Sequence, residues 1–283
     1  MSASAITART RLVIAGAGPA ALALVHHLHR HGYPGSITLL SNRDDCPTEL
    51  LEAAALPQVS LRLGQPASYL DSDSRTVSTV DGMEFPYDQL VIATGSVPDK
   101  PAVTGSARCL SYSTVDDAGT IGQAVTDVTR VLGRRPLGIL VGTGPSAGQA
   151  EAVLRARGVR PVRTSLRPAS VMPTVAGSVL PATGIIFEDG STMNADLVVL
   201  AEERTAQDQL AATAGIRTAP AGGIEVDRHY RASAPDVWAI GDAAALDGVR
   251  LGLMVSAETA ARTCAAGLLA GVRGAFQAAA AAA

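Results

Sequence analysis

The stretch "RLVIAGAGPAALALVHHLHRHG" (residues 11–32) decides the fold. Leu12, Val13, Ile14 and Ala15 form a short apolar run of the kind that makes a strand buried on both faces. Leu22, Val25 and Leu28 then recur at helical spacing. Between them lies Gly16-x-Gly18-x-x-Ala21. Gly16 permits the tight turn, Gly18 lets a pyrophosphate approach the backbone, and the small Ala21 lets helix and strand close together. Pro19 and Ala20 open the helix, whose unpaired N–H groups attract phosphate. A second strand, Ser36-Ile37-Thr38-Leu39-Leu40, completes a βαβ unit, so a dinucleotide site is expected here. The ribose-binding carboxylate that normally follows the second strand is replaced by Ser41 and Asn42, with Asp44 and Asp45 slightly later.

The design recurs in "GILVGTGPSAGQAEAVLRARGVRPVRTSL" (138–166), where Gly142-x-Gly144-x-x-Ala147 joins an apolar run to a helix. Two such units predict two nucleotides, or one nucleotide and a vestige. The wider chain fits a globular α/β protein. It has 283 residues, 47% of them apolar, and 28 glycines, with neither repeats nor long charge blocks. Aromatics make up 3% and net charge is −3, which removes the stacking and electrostatic grounds for nucleic-acid binding. Cys46, Cys109 and Cys264 stand far apart without a C-x-x-C, which fits a reducing, cytoplasmic setting and no zinc site. MSASAITART (1–10) lacks the apolar core of a secretion signal, and no apolar run reaches the roughly 18 residues of a membrane span. The terminal QAAAAAA (277–283) is set aside from the fold reading.

Four further segments carry a resemblance to a known family. They are "FPYDQLVIATGSVPDKP" (85–101), "STVDDAGTIGQAV" (113–125), "IIFEDGSTMNADLVVLA" (185–201) and "GGIEVDRHYRASAPDVWAIGDAAAL" (222–246). Together with the two glycine turns, and in this order, they resemble the pyridine-nucleotide–disulfide oxidoreductase superfamily, its ferredoxin, rubredoxin and NADH-oxidase-type reductases most of all. The resemblance implies FAD, with Thr94 and Gly95 ending the strand that returns beneath it and Gly241-Asp242 facing its ribityl–phosphate region. It also implies a helix starting around Met254–Glu258 whose N-terminus points at the flavin pyrimidine ring. Read from the residues alone, Asp242 ends a buried strand and needs a hydrogen-bond donor; capping the following helix is its plainer role.

Several family features are absent. One helix, about 254–270, follows the Gly-Asp pair, so no third domain is expected. Without a C-x-x-C no dithiol relay operates, and Cys46 reads as an ordinary loop cysteine more readily than as a catalytic one. The helix that packs beside the flavin in the resembling reductases is cut to "CPTELLEAAALPQ" (46–58). A short connection (167–184) leaves no room for a helix and strand of the nucleotide domain. Arg163 and Arg167 stand where NADPH-selective members place arginines for the 2′-phosphate; solvated loop charge is the competing reading. In "ADLVVLAEERTAQDQL" (195–210), Glu202, Glu203 and Arg204 replace the small residues that the resembling strand carries. Two carboxylates there repel a pyrophosphate unless a cation pairs with them. His26, His27, His29 and His31 read as solvated surface, with no metal site.

The expected fold is α/β: two nested Rossmann-like three-layer domains. Residues 1–105 and 218–273 form an FAD domain, 106–217 a shortened NAD(P)-type domain, and 274–283 a tail. FAD is expected on Gly16, Gly18, Pro19, Ala20, Ser41, Asn42, Thr94, Gly95, Gly241, Asp242 and Met254; NAD(P)H, if used, on Gly142, Gly144, Ala147, Arg163 and Arg167. The expected activity is hydride transfer through flavin N5 from NAD(P)H or a small organic substrate to oxygen, a small electron-carrier protein or a second substrate. No side chain is assigned as acid or base. Two alternatives stay open: a biosynthetic flavin oxidase or dehydrogenase that ignores nicotinamide, and a non-redox flavoprotein or scaffold subunit. Assembly with a second copy or a partner subunit also stays open.

Overall fold

The computed structural model describes residues 9–99, 102–173, 183–201 and 203–281, with side chains to residue 270. Glu202, residues 174–182 of the 167–184 connection and the last two residues of the tail lie outside the described residues. The chain divides into two units, Met1–Val97 with Ala206–Ala283, and Pro98–Thr205.

The first unit begins with β1 (Arg11–Ala15), α1 (Pro19–Arg30), β2 (Ser36–Leu40), α2 (Thr48–Ala54) and β3 (Val59–Arg62). An antiparallel sheet of β4 (Ala67–Asp71), β5 (Thr76–Thr79) and β6 (Glu84–Pro86) follows, and β7 (Gln89–Ile92) returns beside β1. The chain leaves through β8 (Ser96–Pro98).

The second unit contains β9 (Leu110–Tyr112), α3 (Asp117–Leu132), β10 (Gly138–Val141), α4 (Pro145–Ala156) and β11 (Val162–Thr164). After these come the antiparallel β12 (Pro168–Pro173), β13 (Thr183–Phe187) and β14 (Thr192–Ala195), then β15 (Leu197–Ala201). Its parallel sheet runs β11-β10-β15-β9. The chain returns through β16 (Arg204–Ala206) to α5 (Gln209–Thr213), β17 (Ile224–Glu225), β18 (Val237–Ala239), β19 (Ala244–Leu246), β20 (Val249–Arg250) and α6 (Ala257–Ala281). The main sheet of the first unit is parallel throughout, ordered β18-β7-β1-β2-β3.

Leu12, Val13, Ile14 and Ala15 are buried, as a strand covered on both faces demands. Arg11 opens that strand and is tied to Asp88, which accepts from its backbone N, Nε and Nη2 at 2.8, 3.1 and 3.0 Å. The Arg11 hydrogen bond holds the Asp88 carboxyl below its ordinary value of 3.8, against the opposing effect of burial. A carboxyl lowered in the folded state contributes stability that is present above the ordinary value and lost as pH falls through the lowered one. Stability is therefore expected to fall below about pH 4, and Asp88→Asn should flatten that slope in urea titrations across this range.

Three boundaries differ from those read in the sequence. The crossings fall at Val97–Pro98 and Thr205–Ala206 rather than near 105 and 217. The reason is packing: Leu210, Ala211 and Ile216 belong to the first unit's core, and the Thr213 hydroxyl accepts from the Leu70 amide at 3.0 Å. Thr104, in contrast, bridges to Ser170 within the second unit. The last helix starts at Ala257, within the expected Met254–Glu258 segment, where the Ser256 hydroxyl accepts from the Thr259 amide after a 3₁₀ turn over Leu251–Leu253, but it does not end near 270. It continues to Ala281, since alanine is the best helix former. Met254 sits in the preceding turn and is 43% exposed.

His29 and His31 on α1 are exposed as expected, but His27 is a further correction. Rather than facing solvent, His27 is 6% exposed, because α6 packs across α1 and its Glu258 Oε1 meets His27 Nε2 at 2.8 Å. Among the described residues no cluster of His, Cys, Asp and Glu could hold a metal.

Candidate functional site

In the first unit, the chain runs from β1 to β2 and β3 on one side, while β7 returns on the other. The crevice beyond the carboxyl ends of β1 and β7 is therefore a topological switch point, where open α/β sheets take their ligands. The first glycine turn lies in it. Gly16 has φ +113°, its amide donates to the Leu40 carbonyl at 2.9 Å, and a Cβ there would collide with the Ala93 carbonyl. Gly18 caps α1, with Pro19 opening the helix, and a Cβ added to it would meet nothing within 4 Å. One glycine is thus fixed by packing, while the other leaves open space at a helix N-terminus.

A cavity of about 200 Å³ adjoins this turn, lined among others by Gly16, Leu40, Asn42, Ala67, Thr94 and Gln207. It brings together residues from the ends of β1, β2 and β7, three of the positions singled out in the sequence. Thr94 donates its hydroxyl to the Gln207 carbonyl, and the Gly95 carbonyl accepts from the Gln207 amide at 2.9 Å. Ser41 is buried and accepts from the Arg43 amide at 3.1 Å, which shapes the loop that presents Asn42. Gln207 carried no signal in the sequence, since a lone polar residue after a short strand has no pattern. A second cavity, of about 270 Å³ and lined by His27, His31, Arg262 and helix alanines, shares no residue with the first.

Gly241 and Asp242 reach the same helix end. A Cβ on Gly241 would lie 3.0 Å from that of Ala20. Asp242 is nearly buried; its Oδ2 accepts from the Ser96 hydroxyl at 2.6 Å and faces Arg250 Nη1 at 3.4 Å. Arg250 is the partner that sequence reasoning missed, although a signal existed. Asp247-Gly248, both at positive φ, form the hairpin turn that sets Arg250 opposite Ala245.

The second turn keeps the same backbone but not the same surroundings. Gly142 donates its amide to the Thr164 carbonyl at 3.0 Å, Gly144 caps α4, and Ala147 is fully buried. Arg163 is spent locally: its Nε and Nη2 donate to the Gly142 and Thr143 carbonyls at 3.3 and 2.6 Å, and its Nη1 pairs with Glu151. Arg167 is exposed just before β12. A Cβ on Gly144 would run into the Glu203 carboxylate.

A sequence profile described as pyridine nucleotide-disulphide oxidoreductase matches residues 10–175 and 147–263, nearly the whole described chain. The chain belongs to this family.

Two curated relatives of this chain show how far the likeness extends. It is 29% identical over 248 residues to the nitrite reductase [NAD(P)H] large subunit of Klebsiella oxytoca, covering 77% of this chain but only 25% of that protein. It is 27% identical over 292 residues to the rubredoxin-NAD(+) reductase of Pseudomonas putida, covering 88% of this chain and 75% of that one. Among solved structures, that of the covalent putidaredoxin reductase–putidaredoxin complex superposes with a TM-score of 0.57 at 23% identity, over 93% of this chain and 76% of the other, which shows a shared fold. The family is one of oxidoreductases whose cofactor is FAD, and its Rossmann-like α/β architecture is the one found here.

The disulphide in the family's name has no counterpart among this chain's thiols, which are all free. Cys46 is exposed; burial pushes the Cys109 thiol up to about 11; Cys264 is wholly buried and pushed up further still. A thiol reagent such as DTNB at pH 8 should modify Cys46 quickly, Cys109 slowly and Cys264 only after denaturation. Three fast equivalents in the folded protein would contradict this packing.

Proposed function

We propose that the chain is an FAD-dependent oxidoreductase that binds the flavin dinucleotide in its first unit and passes electrons to a small electron-carrier protein, to oxygen or to a second substrate. The observation that carries this reading is the open cradle at Gly18, set at the switch point of a parallel sheet and joined to the cavity that Asn42 and Thr94 line. FAD, when bound, supplies hydride acceptance at N5 and the onward transfer of electrons.

The chain's own residues bind and orient. The free N–H groups that begin α1 receive the pyrophosphate beside Gly18. Asn42 offers its amide to the ribose in place of a carboxylate. Asp242, oriented by Ser96 and Arg250, accepts from a ribityl hydroxyl. No acid or base is required of a side chain for hydride transfer, and none is assigned. The rubredoxin-NAD(+) and terpredoxin reductases among the relatives support an electron-carrier protein as acceptor. The Glu203 carboxylate at the second turn favours a reduced donor other than a nicotinamide dinucleotide.

The test is the visible spectrum of the purified protein, taken anaerobically before and after candidate donors. Flavin absorption that survives gel filtration and bleaches with a donor is the expected result. Protein that stays colourless after incubation with FAD would sink the proposal.

A further inference from the structure

We infer that Glu203 sets donor choice, its carboxylate standing where a nicotinamide dinucleotide would bring its pyrophosphate to the second glycine turn, so that NADH and NADPH are kept out. This rests on reading that turn as a dinucleotide site, and it deepens the proposed function by narrowing the donor. The two glycine turns make an internal comparison. At Gly18 the direction of the missing side chain leads into open space; at the equivalent Gly144 it leads into Glu203, whose Cδ would be 2.8 Å from a Cβ. The second glycine of such a turn exists so that pyrophosphate can come close to the backbone. In this chain a carboxylate of the protein has already come close.

Three further observations fix the carboxylate in that role. The Glu203 carbonyl accepts from the Asp99 amide at 3.0 Å, so the main chain at this point is pinned. Glu203 Oε1 is buried and has no hydrogen-bond partner among the described residues; what faces it is the positive end of α4, as a phosphate oxygen would. Arg163, a cation of β11 that reaches this turn, is committed to the Gly142 and Thr143 carbonyls and to Glu151. An incoming pyrophosphate would therefore meet both the volume of the side chain and a like charge in a partly desolvated place.

Calorimetric titration of the purified protein with NADH and with NADPH tests this, in the wild type, Glu203→Ala and Glu203→Gln. The wild type should bind both dinucleotides with dissociation constants above about 1 mM. Glu203→Ala, which removes volume and charge, should bind at least about tenfold tighter. Glu203→Gln keeps the volume and should fall between the two, and its near-isosteric side chain keeps the test open should the alanine variant fold poorly. Micromolar binding by the wild type, or equal affinities in all three proteins, would overturn the inference. The titration needs no flavin chemistry. A colourless protein that shows the Glu203 effect sinks the flavin reading alone; a yellow protein with tight wild-type binding sinks this inference alone.

Discussion

Replacing Gly16 with alanine is expected to destabilise the protein by about 2–5 kcal/mol, the sum of a positive-φ penalty and a steric clash in a packed core. The backbone there has φ +113°, and the new methyl group would strike the Ala93 carbonyl and approach the Thr94 nitrogen to 2.9 Å. Both obstacles are main chain of the loop that follows β7, so no side chain can swing aside. Gly18→Ala is the matched control. Its φ is −81° and nothing lies within 4 Å, so stability should change by less than about 1 kcal/mol, while retained FAD falls because the methyl group fills the cradle. Urea unfolding and the flavin-to-protein absorbance ratio separate the two effects. Gly16→Ala melting like the wild type would mean that β1 and the loop after β7 are not packed as described.

The second large effect is expected at Arg250. Its side chain is 9% exposed and that of Asp242 12%, and Arg250→Ala would leave the carboxylate with its Ser96 hydrogen bond but without this cation. Removing one partner of a buried pair costs about 3 kcal/mol, most of it the desolvation of the charge left behind. Asp242→Asn should cost less, since an amide can still meet Ser96, and placing it in the Arg250→Ala background should return part of the loss. A double-mutant cycle of urea midpoints measures the coupling. A loss below about 0.5 kcal/mol for Arg250→Ala would assign the pair to screened surface charge.

These two residues mark how far the sequence is legible. Gly16 could be read because its chemistry is local: a strand, a turn and a helix follow one another within a few residues, and each has a periodicity of its own. The same locality exposed the second turn and the odd carboxylates after β15. Arg250 is only half legible that way: the Asp247-Gly248 turn is a local signal for the hairpin that carries it, but the pocket it shares with Asp242 is closed by Ser96, which is 146 residues from Asp242. The burial of His27 is illegible for a related reason. Nothing in α1 itself announces that α6, more than two hundred residues on, will cover its second face and supply Glu258. Periodicity tells which face of a helix is apolar; it does not tell whether a polar face will also be buried.

The insertion of a contiguous unit into a split one has a consequence for synthesis. The second unit, Pro98–Thr205, is complete while the ribosome is still translating the strand that closes the first. Until β18 emerges, β7 presents the bare edge of Leu90, Val91 and Ile92, the register that Val237, Trp238 and Ala239 will later occupy. At typical elongation rates that interval lasts on the order of ten seconds. An apolar strand edge held open for so long is a template for wrong pairing. Nascent chains of this protein should therefore depend on chaperones most strongly while the inserted unit is being made, and shortening that insert would relieve the exposure.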